Sequence, residues 1–109
     1  MLYHLISKHQ YDLAKERGLY APDSLESEGF IHFSTNEQVD TTAKRFYFKQ
    51  ENLMLLEIDP NLLKAEVKFE PADNELFPHL YGELNMDAVE NVYELSWKGE
   101  ELIRSQQSS

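Results

Sequence analysis

The sequence predicts a single small α+β domain with a mixed, mostly antiparallel sheet and two early helices. Two helix signals lie in the first half of the chain, and most strand-like runs follow them. The length of 109 residues suits one domain and leaves no room for a second. The apolar content, 41% hydrophobic residues with 12% aromatics, is enough for a compact core. We expect this domain over residues 1–104 and a flexible polar tail over residues 105–109.

The first strand and the first helix are predicted at the start of the chain. Residues 2–6 are rich in strand formers. Ser7 and Gln10 then have the spacing of a capping box, and apolar residues follow at helical intervals. Gly18 is expected to end this helix. Residues 19–29 have no clear periodicity, which predicts an irregular excursion.

A second strand and a second helix are predicted next. The stretch "GFIHF", residues 29–33, has the composition of a strand in which Phe30, His32 and Ser34 share one side. Ser34 is expected to cap the following helix, because Glu37 lies three residues later and apolar residues then recur at helical spacing.

The second half of the chain predicts further strands. Residues 52–59 form an apolar run typical of a strand buried on both faces, and residues 65–71 alternate as in a half-exposed strand that a proline ends. Residues 72–84, "ADNELFPHLYGEL", combine aromatic rings with turn-forming residues and predict a ring-exposing loop. A short turn at residues 86–89 precedes the last strand, residues 91–99.

Charge and composition narrow the function classes. Twenty acidic residues against ten basic ones give a net charge of −10, which predicts no broad nucleic-acid binding and favours small-molecule partners. No apolar run is long enough for a membrane span, and no leader pattern opens the sequence, so we expect neither membrane insertion nor secretion. The absence of cysteine is most simply reconciled with a cytoplasmic protein. The oligomeric state is left open.

Histidines and glutamates are the candidate site residues. His4, His32 and His79 each lie in an apolar or aromatic setting, where an imidazole can bind a ribose hydroxyl, exchange a proton or ligate a metal. For one histidine alone a structural hydrogen bond is the more common role, whereas three such placements make a shared cleft comparably plausible. Glu70 and Glu83 are candidates for a general base or an orienting carboxylate. Because these residues are scattered singly, a metal site is not predicted.

Two classes of function remain open at this point. Either the histidines line one cleft for a small ligand, or "FPHLYG" is the recognition loop of a noncatalytic module that binds a peptide or small ligand through Phe77 and Tyr81. The sequence contains no glycine-rich phosphate loop and no Gly-x-Ser-x-Gly elbow that would name an enzyme class.

Four ordered blocks, "YHL", "EGFIHFST", "LLEID" and "FPHLYGEL", carry a family resemblance. Together they resemble the family known as domain of unknown function 952, over nearly the whole chain. More distantly, the chain resembles the ADP-ribosyltransferase fold, including its RNA 2′-phosphotransferase branch. His4 on the first strand matches the histidine that contacts a ribose there, and the block from Gly29 to Ser34 is similar to a glycine-led strand, with His32 in place of a tyrosine.

The distant resemblance implies an ADP-ribosyltransferase-like fold, NAD as cofactor and a set of site residues. His4, His32, Ser34 and Tyr81 would contact NAD or a related nucleotide, with His4 at a ribose. His79 and Glu83 would be the catalytic groups: His79 would lie near the bond that breaks, and either His79 or Glu83 would stand in place of the family's glutamate or other polar residue. Catalysis would proceed by loss of nicotinamide through an oxocarbenium-like state.

Overall fold

The computed structural model describes residues 1–106, in which antiparallel sheets and a few helices give an α+β fold. The strands are β1 (Leu2–Ser7), β2 (Leu19–Tyr20), β3 (Ile31–His32), β4 (Leu53–Ile58), β5 (Glu66–Ala72), β6 (Glu75–Tyr81), β7 (Leu84–Asn85), β8 (Val89–Lys98) and β9 (Glu101–Gln106). The helices are α1 (Lys8–Arg17), α2 (Ser24–Ser27) and α3 (Val39–Phe46), and 3₁₀ turns lie at Asn36–Gln38, Pro60–Leu62 and Met86–Ala88. The predicted α+β class with two early helices is therefore confirmed, and α2 adds a third, short helix.

The strands form three sheets within residues 1–106, rather than one. A four-stranded sheet has the order β1-β4-β8-β9, a three-stranded sheet has the order β3-β6-β5, and β2 pairs with β7. Each of these strand pairings is antiparallel. A backbone bridge between Tyr3 and Ser34 joins β1 to the chain that follows β3. This bridge places the start of β1 beside the three-stranded sheet.

Side chains of β1 and β4 supply both halves of the core. On one face, alternate residues such as Ile6 and Leu56 pack against Ile31 and Leu80 of the three-stranded sheet. On the other face, residues such as Leu55 pack beneath α3. The predicted burial of residues 52–59 on both faces is confirmed, because one layer covers each side of β4.

Ser7 caps α1 and Gly18 ends it, as predicted, whereas the second bond of the predicted capping box, between the Gln10 side chain and the Ser7 N–H, is not found within residues 1–106. The amide N–H of Gln10 donates to Ser7 Oγ over 3.1 Å at the N-terminus. At the C-terminus Gly18 has φ +81°, and its N–H donates to the carbonyl of Ala14 over 2.8 Å. Beyond Gly18, the expected irregular excursion over residues 19–29 contains β2 and α2, two elements too short to give a periodic signal.

Ser34 is not the cap of the second helix. Its backbone N–H and carbonyl both pair with Tyr3 over 2.8 Å, which keeps this residue in an extended bridge. Thr35 is the first residue free to cap, and it forms a reciprocal capping box with Gln38 ahead of α3. The strand predicted over residues 29–33 is also shorter than expected, since only Ile31–His32 pairs as β3.

The loop predicted over residues 72–84 is wrong, because most of this segment is strand β6. Asp73 and Asn74 both have positive φ, 49° and 65°, and join β5 to β6 as a two-residue hairpin turn. Pro71 does not end β5, since Ala72 still pairs with Glu75. The "FPHLYG" segment is therefore not a recognition loop.

Pro78 fits inside β6 because of the direction in which its backbone points. Its carbonyl accepts a hydrogen bond from Phe33 N–H over 2.9 Å, on the side where β3 has ended. The missing N–H of the proline is on that same side, so the pairing with β5 loses no donor.

The expected alternation of buried and exposed residues in β5 is incomplete, because Phe69 is 52% exposed near the hairpin end.

The end of the chain is ordered further than expected. Ser105 and Gln106, placed in the predicted tail 105–109, pair with Glu94 and Tyr93 in the sheet. Residues 107–109 of that predicted tail lie outside the described residues.

Within residues 1–106 the helices are all too short or too polar to cross a membrane.

Candidate functional site

The outward face of the three-stranded sheet carries the candidate site. Ile31 and Leu80 are fully buried on the inner side of β3 and β6, so the neighbouring His32 and His79 point away from the core. The register places these two histidines directly opposite each other. Their ring centroids are 5.3 Å apart, with planes at 76°.

Phe30 covers His79. The two rings are stacked at 4.0 Å with planes only 13° apart. Phe30 also contacts His32 at 4.9 Å and Tyr81 at 5.4 Å between centroids. The His79 side chain is consequently only 9% exposed, although it lies on the outward face.

Glu70, on β5, connects two residues of the site through hydrogen bonds. One of its carboxylate oxygens, Oε1, accepts hydrogen bonds from the Tyr81 hydroxyl and from His79 Nδ1, the latter over 2.9 Å. These bonds, from Tyr81 first and His79 second, hold the pKa of Glu70 below its usual value. The same bond to Glu70 raises the pKa of Tyr81. We call the five residues together the histidine face: Phe30, His32, Glu70, His79 and Tyr81.

The bond to Glu70 fixes the protonation pattern of His79. A carboxylate only accepts, so the proton of the neutral imidazole must be on Nδ1. Nε2 is then the free acceptor; it has no hydrogen-bond partner within residues 1–106 and is not fully buried. A histidine oriented by a carboxylate with its second nitrogen free has the arrangement of a general base.

Charged side chains border the histidine face. Glu28 Oε2 is 2.9 Å from His32 Nε2, and both side chains are about half exposed. Lys68 Nζ lies 4.9 Å from the centroid of the Tyr81 ring. Glu28 and Lys68 therefore add a second carboxylate and a cation at the border of the face, next to its own carboxylate, Glu70.

His4 lies next to the histidine face but not in it. Its Nδ1 is 2.7 Å from the backbone oxygen of His32, and its ring packs against Tyr20 and Phe33. Because a carbonyl only accepts, Nδ1 carries the proton and Nε2 is a lone-pair acceptor. Nε2 is buried without a partner in the described chain, although the residue as a whole is partly exposed. Burial lowers the pKa of His4 to about 4.

The structure brings together only part of the predicted site. His32, His79 and Tyr81 converge, whereas His4 reaches them only through the backbone of His32. Ser34 contributes its backbone to the bridge with Tyr3. Glu83 lies elsewhere, in a cavity of about 380 Å³ that Gly18, Leu19, Lys64, Ala65 and Asn85 also line.

Of the two carboxylates that the sequence nominates, Glu70 lies in the site and Glu83 does not, and Phe30 joins the site without having been assigned to it. Glu70 pairs with Phe77 in the β5–β6 register, which makes His79 its diagonal neighbour. Recognition of the Asp73-Asn74 turn would have fixed that register from the sequence. Phe30 is separated from His79 along the chain, and no local pattern links them.

Two cavities of the described chain lie away from the histidine face. A larger cavity, about 410 Å³, lies at the far end of the four-stranded sheet, where Lys49, Asn52, Leu95 and Trp97 are among its lining residues. Within residues 1–106, no three histidine, aspartate or glutamate side chains are placed to hold a metal ion.

Comparison with known proteins gives the family. Residues 5–92 match the family described as protein of unknown function, DUF952. The chain belongs to this family. The resemblance drawn from four sequence blocks is thereby confirmed, and the family's description names no activity.

Solved structures share the fold of this DUF952 chain. The X-ray crystal structure of protein CC0527 from Caulobacter crescentus is 31% identical, with a TM-score of 0.83, and the match covers 91% of this chain and 89% of that one. The solution NMR structure of CC0527 is similar at 30% identity and a TM-score of 0.79, with 93% and 89% covered. No curated protein matches the chain.

Proposed function

We propose that this DUF952 chain binds a small ligand with a planar ring on the histidine face, and that NAD or a related nucleotide is the ligand class. The observation that carries the proposal is the convergence of His32, His79 and Tyr81 around one stacking position, with Glu70 orienting His79. Aromatic and imidazole rings that surround a single position favour a flat ligand over an aliphatic one.

Two further groups suit the ribose and phosphate parts of a nucleotide. His4 Nε2 is a buried acceptor without a partner within residues 1–106, and it would gain a hydrogen bond from a ribose hydroxyl once the packing around His4 opens. Lys68 Nζ lies 4.9 Å from the centroid of the Tyr81 ring and would hold a phosphate. When bound, NAD supplies an ADP-ribose unit whose bond to nicotinamide can be broken.

The proposal gives His79 the role of proton acceptor. Its Nε2 is free, and the adjacent carboxylate of Glu70 stabilises the imidazolium that forms when Nε2 takes a proton. Glu70 acts as a positioning residue through His79 and Tyr81. It takes the part expected of Glu83, which lies at the separate cavity. We thus propose that the chain shares with ADP-ribosyltransferases the class of ligand and the use of a proton-accepting side chain.

A titration of ¹⁵N-labelled protein with NAD tests the proposal. We expect saturable NMR shifts at His32, His79 and Tyr81, and their loss in His32→Ala. His9→Ala is the matched control, because His9 is exposed on α1, and it should bind as the parent protein does. Absence of any shift at millimolar NAD would reject the nucleotide assignment.

Separate titrations with nicotinamide and with ADP-ribose test the ring subsite and the ribose subsite one at a time. The ring subsite predicts shifts at His79 and Tyr81 with nicotinamide alone. The ribose subsite predicts shifts at His4 with ADP-ribose. Shifts confined to Trp97 and Lys49 would place binding in the other cavity and contradict the proposal.

A further inference from the structure

We infer that Phe30 occupies the ring subsite of the histidine face and that a ligand ring must displace it. This inference rests on the proposed function and deepens it. The Phe30 ring lies parallel to the His79 ring at 4.0 Å, which is the position a bound planar ring would take. His32 and Tyr81 border the same ring. The side chain of the protein thus mimics the ligand.

The backbone around Phe30 joins a fixed part of the chain to a lightly anchored one. On the C-terminal side, Ile31 is fully buried and paired with Leu80. On the N-terminal side, Gly29 has φ +89° and open space where a side chain would be, and α2 contains no fully buried residue and packs on the core through the partly buried Leu25. A rotation of the backbone at Gly29 can therefore move Phe30 without moving the fully buried residues of the core.

Besides the contacts of its own ring, two polar contacts of the neighbouring chain keep Phe30 over His79 in the ligand-free protein. Ser24 Oγ donates to the Phe30 carbonyl over 2.8 Å, and Glu28 reaches His32 from the segment just before Gly29. Both contacts are polar, and neither buries a large side chain. Breaking these two polar contacts therefore costs less free energy than moving a core residue would.

The displaced ring defines the class of ligand. A nicotinamide or purine ring replaces the stack between Phe30 and His79 with an equivalent one, whereas a sugar or an aliphatic chain does not. The histidine face should consequently select ligands by a planar heteroaromatic ring, and the affinity should reflect competition with Phe30.

The test compares Phe30→Ala with Phe48→Ala, a control in which an exposed phenylalanine is lost from its contact with Trp97. The first measurement is the rate at which diethyl pyrocarbonate modifies His79 in ligand-free protein. The second is the affinity for nicotinamide and NAD. We expect Phe30→Ala to accelerate the modification several-fold and to tighten binding by about two- to tenfold, the range of one aromatic stack.

The outcomes separate this inference from the proposed function. Unchanged His79 reactivity in Phe30→Ala overturns the inference, and so does weaker binding, which would make Phe30 a partner of the ligand rather than its competitor. Faster modification without binding of nicotinamide or NAD supports Phe30 as a cover and rejects the ligand class. Phe30→Leu, which keeps apolar volume without a flat ring, repeats both measurements if Phe30→Ala fails to fold.

Discussion

His4 should make the folded protein sensitive to mild acid. Burial lowers its pKa to about 4, whereas in the unfolded chain the value is about 6.5. The unfolded state therefore binds the proton first, so stability is lost as pH falls from 6.5 towards 4. The full difference corresponds to about 3 kcal/mol, of which about 2 kcal/mol is lost between pH 7 and pH 5.

The physical origin of this effect is the surroundings of the His4 ring. Nδ1 already donates to the carbonyl of His32 over 2.7 Å, and Nε2 is buried without a partner among residues 1–106. A second proton would add a charge next to Tyr20 and Phe33, with no acceptor to receive it. The neutral imidazole is the form that the fold accommodates.

Urea unfolding at pH 7, 6 and 5 measures the effect. The parent protein and the exposed-site control His9→Ala should both lose about 2 kcal/mol across this range, and His4→Phe should lose correspondingly less. Stabilisation from Glu70, whose pKa is lowered, is present above pH 4.5 and lost only as pH falls through its folded value, so it does not interfere. The same pH dependence in His4→Phe and in the parent would refute the reasoning.

Three further predictions concern stability. Thr35→Ala should cost about 1 kcal/mol through loss of the capping box, whereas Ser34→Ala should cost clearly less because Ser34 pairs through its backbone; equal losses in urea unfolding would contradict the assignment. Leu56→Ala should cost about 2–5 kcal/mol, since this side chain is fully buried in β4, and a melting temperature within a degree of the parent's would argue against that packing. Gly82→Ala should destabilise because its Cβ would lie 2.7 Å from Ala65 Cβ, and Ala65→Gly in the same chain should restore the loss if the contact is the cause.

The elements that could be predicted from the sequence are those with local signals. The N-cap of α1 and the glycine that ends it are recognisable from residues close together in the sequence. The apolar run of β4 identifies a strand covered on both faces. The cap of the second helix was misplaced by one residue. The reason is that Ser34 pairs with Tyr3, a distant contact that no local pattern reveals.

The β5–β6 hairpin was missed because its prolines resemble breaks in pairing. Pro78 is tolerated only because the side that lacks the donor faces the end of β3. The candidate site depends on this hairpin, since the register brings Glu70 diagonally to His79. The sequence could nominate His32, His79 and Tyr81 by residue type, but their meeting point depends on pairings between distant strands.

The most direct test of the central claim is an intermolecular NOE experiment on the protein saturated with NAD. The nicotinamide protons should show cross-peaks to the ring protons of His79 and Tyr81, and the Phe30 ring should lose its own cross-peaks to His79. Cross-peaks from nicotinamide to Trp97, with the contact between Phe30 and His79 intact, would contradict a ligand site on the histidine face.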